Sequence, residues 1–350
     1  MVNSNQRWIG FVFKILAVVL ALFFTTLILL AANGMPFQAY KNILMGSLGS
    51  TRSFSNVLVA CMPLVLTTAG VLITFTVGLW NIGVEGQVTI GAIFTTGAFR
   101  LLQDSALPPG LIIVLGFLAG MVGGAIWALL AGALKTFGGV NEIFGGLGLN
   151  FVATSLTIWL IFGPWKRPGV GSMSGTEPFP ESLWLPLIDG LRLSWWSLGI
   201  GIVAIVAVYF LLSNTYIGLK LRAIGKSKNA AALLGIPTSR YMMFSFALCG
   251  VFAGLAGAVQ VTAVYHRLIP SISSSYGFLG LMVAMLVNYQ AIFVVPVALF
   301  FAILNIGSIQ LPIMLGLDST VSGVLQGAMV LFVLIMEGVN KLFTRKSLVE

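Results

Sequence analysis

The chain consists largely of long apolar runs separated by short clusters of glycine, proline and polar residues. A helix that crosses a membrane needs about 20 consecutive, mostly apolar residues, and ten runs suggest such helices. The pattern predicts an all-α, polytopic membrane protein with about ten transmembrane helices in one domain, residues 1–350. The predicted spans cover residues 9–32, 56–79, 87–103, 111–135, 143–163, 195–213, 241–265, 276–290, 292–310 and 321–340.

Basic residues in the connections predict the orientation, because short cytoplasmic loops of membrane proteins carry an excess of Lys and Arg. The connection 214–240 contains five basic residues and no acidic one, whereas the connection 163–194 contains three of each sign. We therefore predict that loop 214–240 is cytoplasmic and that loop 163–194 is extracytoplasmic. Six spans precede the basic loop and four follow it, which places both chain termini in the cytoplasm.

Composition removes several classes of function. Apolar residues make up 58% of the chain and charged residues 8%, whereas soluble domains carry about 25% charged residues. The chain has two cysteines, both inside apolar runs, and one histidine, so no metal or cofactor site is predicted. Carboxylates near the spans are too scattered for paired acid–base catalysis. We expect neither an enzyme nor a nucleic-acid-binding protein.

Some glycines recur at four-residue spacing inside the predicted spans. Gly116, Gly120 and Gly124 form one row, and Gly250 and Gly254 form another. Small residues at this spacing let transmembrane helices approach each other closely. Both rows are predicted to lie at helix–helix contacts.

A polar, glycine-punctuated stretch lies between the second and third predicted spans. Two interpretations stay open: a helix break that lines an aqueous cavity, or a tight cytoplasmic turn whose Glu85 caps the third helix. Other polar residues inside spans could line a translocation path or bridge neighbouring helices. The candidate residues for the break or the path are Asn81, Gly83, Glu85, Gly86, Gln87, Asn150, Asn288 and Asn305.

The basic loop 214–240 contains a run of helix-forming residues from Lys228 to Leu234 that Gly235 and Pro237 would stop. This short helix is either a docking surface for another protein or a solvated loop. The preceding Gly225-Lys226-Ser227 ends like a phosphate-binding loop, but the first glycine of that motif is replaced by Lys220. The chain itself is not expected to bind ATP.

Three motifs together resemble the permease subunits of bacterial ABC importers for sugars and nucleosides, over roughly residues 55–340. They are Asn81-Ile-Gly-Val-Glu-Gly-Gln87, then Arg222-Ala-Ile-Gly225 with Asn229-Ala-Ala and Gly235-Ile236, and then Cys249-Gly250-Val-Phe-Ala-Gly254-Leu-Ala-Gly257. The resemblance implies that the basic loop forms a coupling helix that docks into a separate ATPase subunit. The residues expected to contact it are Lys228, Asn229, Ala230, Ala231 and Gly235.

The resemblance also implies partners and a solute. The expected partners are ABC ATPase subunits, a second, paralogous permease subunit, an extracytoplasmic solute-binding lipoprotein and the lipids of the cell membrane, without a cofactor. With its glutamate, the first motif resembles the corresponding stretch of the nucleoside branch of the family. Trp80 departs from that pattern, since a smaller aromatic residue is expected there. Nucleosides are therefore the expected solute. The alternatives are a ribose-type sugar permease and an ion-coupled secondary transporter.

Overall fold

The computed structural model describes residues 4–31, 34–169, 174–288, 290–316 and 320–346, and all regular structure in these ranges is helical. The predicted cytoplasmic ends, residues 1–3 and 347–350, lie outside the described residues, as do residues 170–173 of the predicted outer loop. The helices are α1 Ser4–Ala31, α2 Pro36–Leu48, α3 Thr51–Thr76, α4 Val84–Leu102, α5 Pro109–Thr136, α6 Glu142–Phe162, α7 Trp195–Asn214, α8 Tyr216–Lys226, α9 Lys228–Leu233, α10 Thr238–Val259, α11 Tyr276–Leu286, α12 Val294–Ser308, α13 Gln310–Leu315 and α14 Val321–Lys346.

Each of the ten predicted spans overlaps one of these helices, and the all-α prediction is confirmed for the described residues. By length and composition, six helical segments of the described chain can cross a membrane, or seven if α1 and α2 form one bent span. The total of about ten crossings remains a prediction. Helix α11 is notably short, because its 11 residues rise only about 16 Å, half the thickness of a bilayer core.

The chain packs as two units. The first contains residues 1–57 and 299–350. Within it, α1 packs on α14 and α2 packs on α13, and Gly307 lies directly against the carbonyl oxygen of Ile43. Its apolar core contains Ala21, Leu29, Ala39, Ile43, Leu304, Leu311, Leu325 and Ala328.

The second unit, residues 58–298, contains all the elements that carry the candidate site. Helix α3 is buried over 89% of its most apolar stretch, whereas the corresponding buried share is 33% for α5 and for α7. A helix that is apolar all round and buried belongs to the interior of a bundle. The exposed apolar faces of α5 and α7 are suited to contact with lipid.

Both glycine rows lie at helix–helix contacts, as predicted, and the structure shows that they pack against each other. A Cβ atom at Gly254 would overlap the carbonyl oxygen of Gly120, and one at Gly250 would overlap that of Gly124. Helix α4 joins the same contact through Gly91, which faces the backbone of Gly254. Three helix backbones therefore approach each other at distances that only glycine allows.

We predict that Gly254→Ala destabilises the protein by about 2 kcal/mol or more, because the added methyl group must push the α5 backbone at Gly120 and Gly124 away from α10. The thermal unfolding midpoint of the purified protein in detergent measures this effect. Gly148→Ala is the matched control, since no atom lies within 4 Å of a Cβ there, and helix propensity favours alanine by up to about 1 kcal/mol. Equal midpoints for the two variants would contradict the close-packing interpretation.

Candidate functional site

The stretch between α3 and α4 begins with a tight helix stop. Gly78 has a φ of +80°, its N–H donates to the carbonyl of Phe75, and the N–H of Leu79 donates to that of Thr74. These two bonds form a Schellman motif, which satisfies carbonyls that the helix end leaves unpaired. A residue with a side chain would be strained at Gly78, so glycine determines where α3 stops.

The residues that follow turn back into the helical bundle. Asn81 is 1% exposed, and its amide nitrogen lies 3.0 Å from the Cys249 sulfur. Cys249 stands 11 residues beyond Thr238, the start of α10, which corresponds to about 16 Å along that helix. The motif therefore begins beside the middle of α10, in a largely buried non-helical segment between α3 and α4, termed the break.

Two amide side chains of the motif bond reciprocally. The amide nitrogen of Asn81 donates to the Gln87 oxygen at 3.2 Å, and the amide nitrogen of Gln87 donates to the Asn81 oxygen at 3.0 Å. Both side chains are buried. A buried amide without a hydrogen-bond partner would be costly. The reciprocal pair avoids this cost and links the start of the motif to its end.

The side chain of Asn150 on α6 makes two hydrogen bonds to backbone groups of the motif. Its oxygen accepts from the Gly86 N–H at 2.8 Å, and its nitrogen donates to the Ile82 carbonyl at 3.0 Å. The first amide groups of any helix lack partners within that helix, and here a neighbouring helix supplies one. Glycine is needed at this contact, because a Cβ at Gly86 would lie 2.8 Å from the Asn150 oxygen.

Glu85 stabilises a different helix from the one that contains it. Its Oε2 atom accepts from the N–H groups of Gly277 at 2.8 Å and Phe278 at 3.3 Å, and its Oε1 atom accepts from the Ser273 hydroxyl at 2.5 Å. A carboxylate at a helix N-terminus satisfies unpaired N–H groups and interacts favourably with the helix dipole. Glu85 thus caps the short helix α11, whereas the N-cap residue of its own helix α4 is Gly83, which has no side chain to act as a cap.

The remaining path candidates are Asn288 and Asn305, and no described hydrogen bond joins either side chain to this cluster. Asn288 is exposed just after α11 and has a φ of +47°. Among the described hydrogen bonds, none joins its side chain to the break. Asn305 is half-buried on α12 in the other unit. Ser273 and Gly277 join the cluster without having been predicted, because only the fold brings them beside Glu85.

We predict that Glu85→Ala lowers the stability by about 3 kcal/mol, because hydrogen bonds to a charged group contribute roughly 1.5–3 kcal/mol each and two N–H groups at the start of α11 lose their acceptor. The thermal unfolding midpoint in detergent measures the loss. Glu177→Ala removes an exposed carboxylate and is expected to shift the midpoint little. The capping role is wrong if both variants unfold at the same temperature.

The basic loop forms two short helices that share one capping residue. The N–H of Ser227 donates to Ala223 at the end of α8, and its hydroxyl accepts from Ala230 at the start of α9 at 3.3 Å. Helix α9 ends in a second Schellman motif, with Gly235 at a φ of +78° and the N–H of Ile236 donating to Ala231. The predicted helix and its glycine stop are both present.

The tip of this loop is exposed and partly apolar. Of the predicted contact residues, Lys228, Asn229, Ala230 and Gly235 are exposed, whereas Ala231 is buried at the base of the helix. Leu233 and Leu234, which we did not predict as contacts, are 91% and 80% exposed. Two adjacent leucines before a helix-stopping glycine in a polar loop are the sequence signal that could have identified them.

Helix α8 of the basic loop packs against the end of α3, where the break begins. A Cβ at Gly225 would overlap the carbonyl oxygen of Thr76, the last residue of α3. The break therefore starts at the point where α8 packs. A displacement of α8 would act directly on the residues that lead to Asn81.

The predicted outer loop is attached to the segment that follows α10 and the helical turn Gln260–Tyr265. Thr176 and Phe179 donate backbone hydrogen bonds to Leu268 and His266, and the Trp184 ring stacks on the His266 ring with centroids 3.8 Å apart. The Nδ1 atom of His266 lies 3.1 Å from the Thr262 carbonyl. Since a carbonyl only accepts, Nδ1 carries the proton of the neutral ring. Burial lowers the pKa of His266 below its usual 6.5.

We predict that stability falls as the pH drops from about 6.5 toward the lowered pKa of His266, because the unfolded chain binds a proton that the folded ring resists. Unfolding midpoints between pH 7.5 and 5 measure this. In His266→Asn, whose side chain tolerates the left-handed backbone at φ +56°, this part of the acid sensitivity should disappear. An unchanged pH profile would show that His266 is not its source.

Comparison with known proteins gives consistent matches along most of the chain. The family described as "Branched-chain amino acid transport system / permease component" matches residues 53–334. The glucose ABC transporter permease protein TsgB13 of Haloferax volcanii is 30% identical over 96% of this chain and 90% of its own length. The nucleoside ABC transporter permease protein NupB of Lactococcus lactis is 27% identical (84% and 82%), and the guanosine ABC transporter permease protein NupP of Bacillus subtilis is 28% identical (91% and 91%).

Proposed function

Because the chain belongs to the family of branched-chain amino acid transport system permease components, we propose that it is the transmembrane subunit of an ATP-driven ABC importer for nucleosides. In this proposal, it lies in the cell membrane with loop 214–240 and both termini in the cytoplasm. ATP is hydrolysed on separate ATPase subunits. A paralogous permease subunit completes the channel, and an extracytoplasmic lipoprotein delivers the solute.

The chemistry of the break supports a neutral solute. The amide side chains of Asn81, Gln87 and Asn150 carry no charge, and the single carboxylate, Glu85, already accepts three hydrogen bonds. A transporter driven by an ion gradient would need ionisable or ion-coordinating groups available in mid-membrane. The names of the matching relatives also disfavour that alternative, since these relatives are ABC transporter permeases.

The basic loop supports docking to an ATPase subunit. Helix α9 is fixed at both ends, by Ser227 and by Gly235, so its exposed residues are held in one geometry. Leu233 and Leu234 project almost fully from its end, and exposed leucines gain free energy when a partner removes them from water. The predicted contact residues Lys228, Asn229 and Ala230 are exposed in the first turn of the same helix.

A continuous set of contacts supports coupling between the loop and the membrane interior. Helix α8 directly precedes α9 in the chain and contacts Thr76 through Gly225. The break begins there and leads to Asn81, Gln87 and Glu85. Since Glu85 holds the N-terminus of α11, movement of α9 would reach α11 through packed elements, as rigid-body transmission requires.

Sugars are the second candidate solute. The relative that is 30% identical over 96% of this chain is named as a glucose permease, whereas two relatives at 27% and 28% are named for nucleosides or guanosine. We retain nucleosides because the glutamate of the first motif resembles the nucleoside branch.

Uptake into proteoliposomes tests the proposed function. The vesicles contain this chain with its candidate partner permease, ATPase subunits and binding lipoprotein, and labelled uridine, guanosine, glucose and ribose are offered in parallel. ATP-dependent uptake of the nucleosides is expected. ATP-dependent uptake of a sugar alone would establish the second candidate, and uptake without ATP that collapses with the proton gradient would overturn the ABC importer.

The docking surface is tested with Leu233→Ser combined with Leu234→Ser. Because burial of a leucine contributes at least about 1.5 kcal/mol, each loss should weaken ATPase binding roughly tenfold. Pull-down of the ATPase and solute-stimulated ATP hydrolysis measure the effect. Leu187→Ser, at a partly exposed leucine of the predicted outer loop, is the control. Unchanged ATPase binding by the double variant would show that α9 does not dock there.

A further inference from the structure

An open cleft of about 510 Å³ lies beside the basic loop. Its walls come from the last turns of α3 and α7, from α8 and from the turn before α12. It opens at the same end of α7 as the loop that we propose to be cytoplasmic. The residues that define its character are Tyr209, Ser213, Arg222, Lys226, Gln290 and Ile292.

One side of the cleft is cationic. Arg222 and Lys226 are four residues apart on α8, so they lie on the same face of that helix, and both are exposed. No acidic side chain in the described part of the chain forms an ion pair with either of them. Guanidinium and ammonium groups together bind phosphate strongly, and Ser213 and Gln290 add neutral hydrogen-bonding groups.

The other side continues an apolar surface of α7. Ile202, Val206 and Tyr209 are 57%, 45% and 43% exposed, and their spacing of four and three residues aligns them along one face of the helix. Ser213 continues the same line into the cleft. From residue 202 to residue 213 the helix rises about 16 Å, roughly half of a bilayer core of about 30 Å.

We propose that this cleft binds an anionic phospholipid of the membrane. Arg222 and Lys226 bind the phosphate of the head group, and an acyl chain lies along Ile202, Val206 and Tyr209. A soluble anion would use the basic pair but would leave the apolar stripe without a function. Basic pockets at membrane-facing helix ends are suited to anionic lipid head groups for this reason.

The full-length protein, purified in a mild detergent, is titrated with phosphatidylglycerol or phosphatidylcholine, and bound lipid is counted by native mass spectrometry. Phosphatidylglycerol should be retained preferentially. Arg222→Gln combined with Lys226→Gln should weaken its binding about 30-fold, since each basic residue near a lipid surface contributes about a factor of five. Lys166→Gln combined with Arg167→Gln removes the same charges from the outer loop and should change nothing.

Three outcomes would overturn the proposal: equal retention of both lipids, equal effects of the two double variants, or displacement of phosphatidylglycerol by inorganic phosphate at equal concentration. The last outcome would identify a site for soluble anions. If the Arg222 and Lys226 variant does not fold, Ser213→Asp tests the site instead. A carboxylate in the cleft should repel the lipid phosphate and lower the retention of phosphatidylglycerol. Unchanged retention in a folded Ser213→Asp variant would then overturn the site.

Discussion

A helix that begins or ends inside an apolar environment leaves amide and carbonyl groups without partners, and this protein has to satisfy those groups without water. Helix α3 ends, α4 begins and α11 begins within one packed unit. Gly78 closes the first end with a Schellman motif, Asn150 of α6 supplies an acceptor for the second, and Glu85 caps the third. Asn150 and Glu85 therefore bind backbone groups of helix ends, whereas Asn81 and Gln87 bind each other.

This arrangement makes the break a junction between helices. Asn81 contacts α10, Gly86 contacts α6 and Glu85 contacts α11. The glycine contacts among α4, α5 and α10 bring these backbones close enough for short side chains to reach each other. Because each bond joins two elements, a shift of one element changes the partners of several others, which is the property that a coupled transporter requires.

The few charged side chains follow the same requirement that buried polar groups have hydrogen-bond partners. Burying a charge is costly unless it is hydrogen-bonded, and Glu85 meets that condition through a helix N-terminus. Three basic residues of loop 214–240, Arg222, Lys226 and Lys228, are exposed at the surface. Lys228 accompanies the apolar tip of α9, and Arg222 with Lys226 forms the wall of the lipid cleft.

The sequence by itself determined the all-helical class, the positions of the ten apolar segments and the stop of α9 at Gly235, because these follow from hydropathy and from local glycine chemistry. It also identified the glycine rows as helix contacts. The interaction of Glu85 with Ser273 and Gly277 was decided only by the tertiary structure, since 188 and 192 residues separate them along the chain. Periodicity reports which face of a helix is buried, whereas the partner of a polar side chain depends on which distant element packs beside it. For that reason the motif 81–87 could be located in the sequence, but its role as a junction could not.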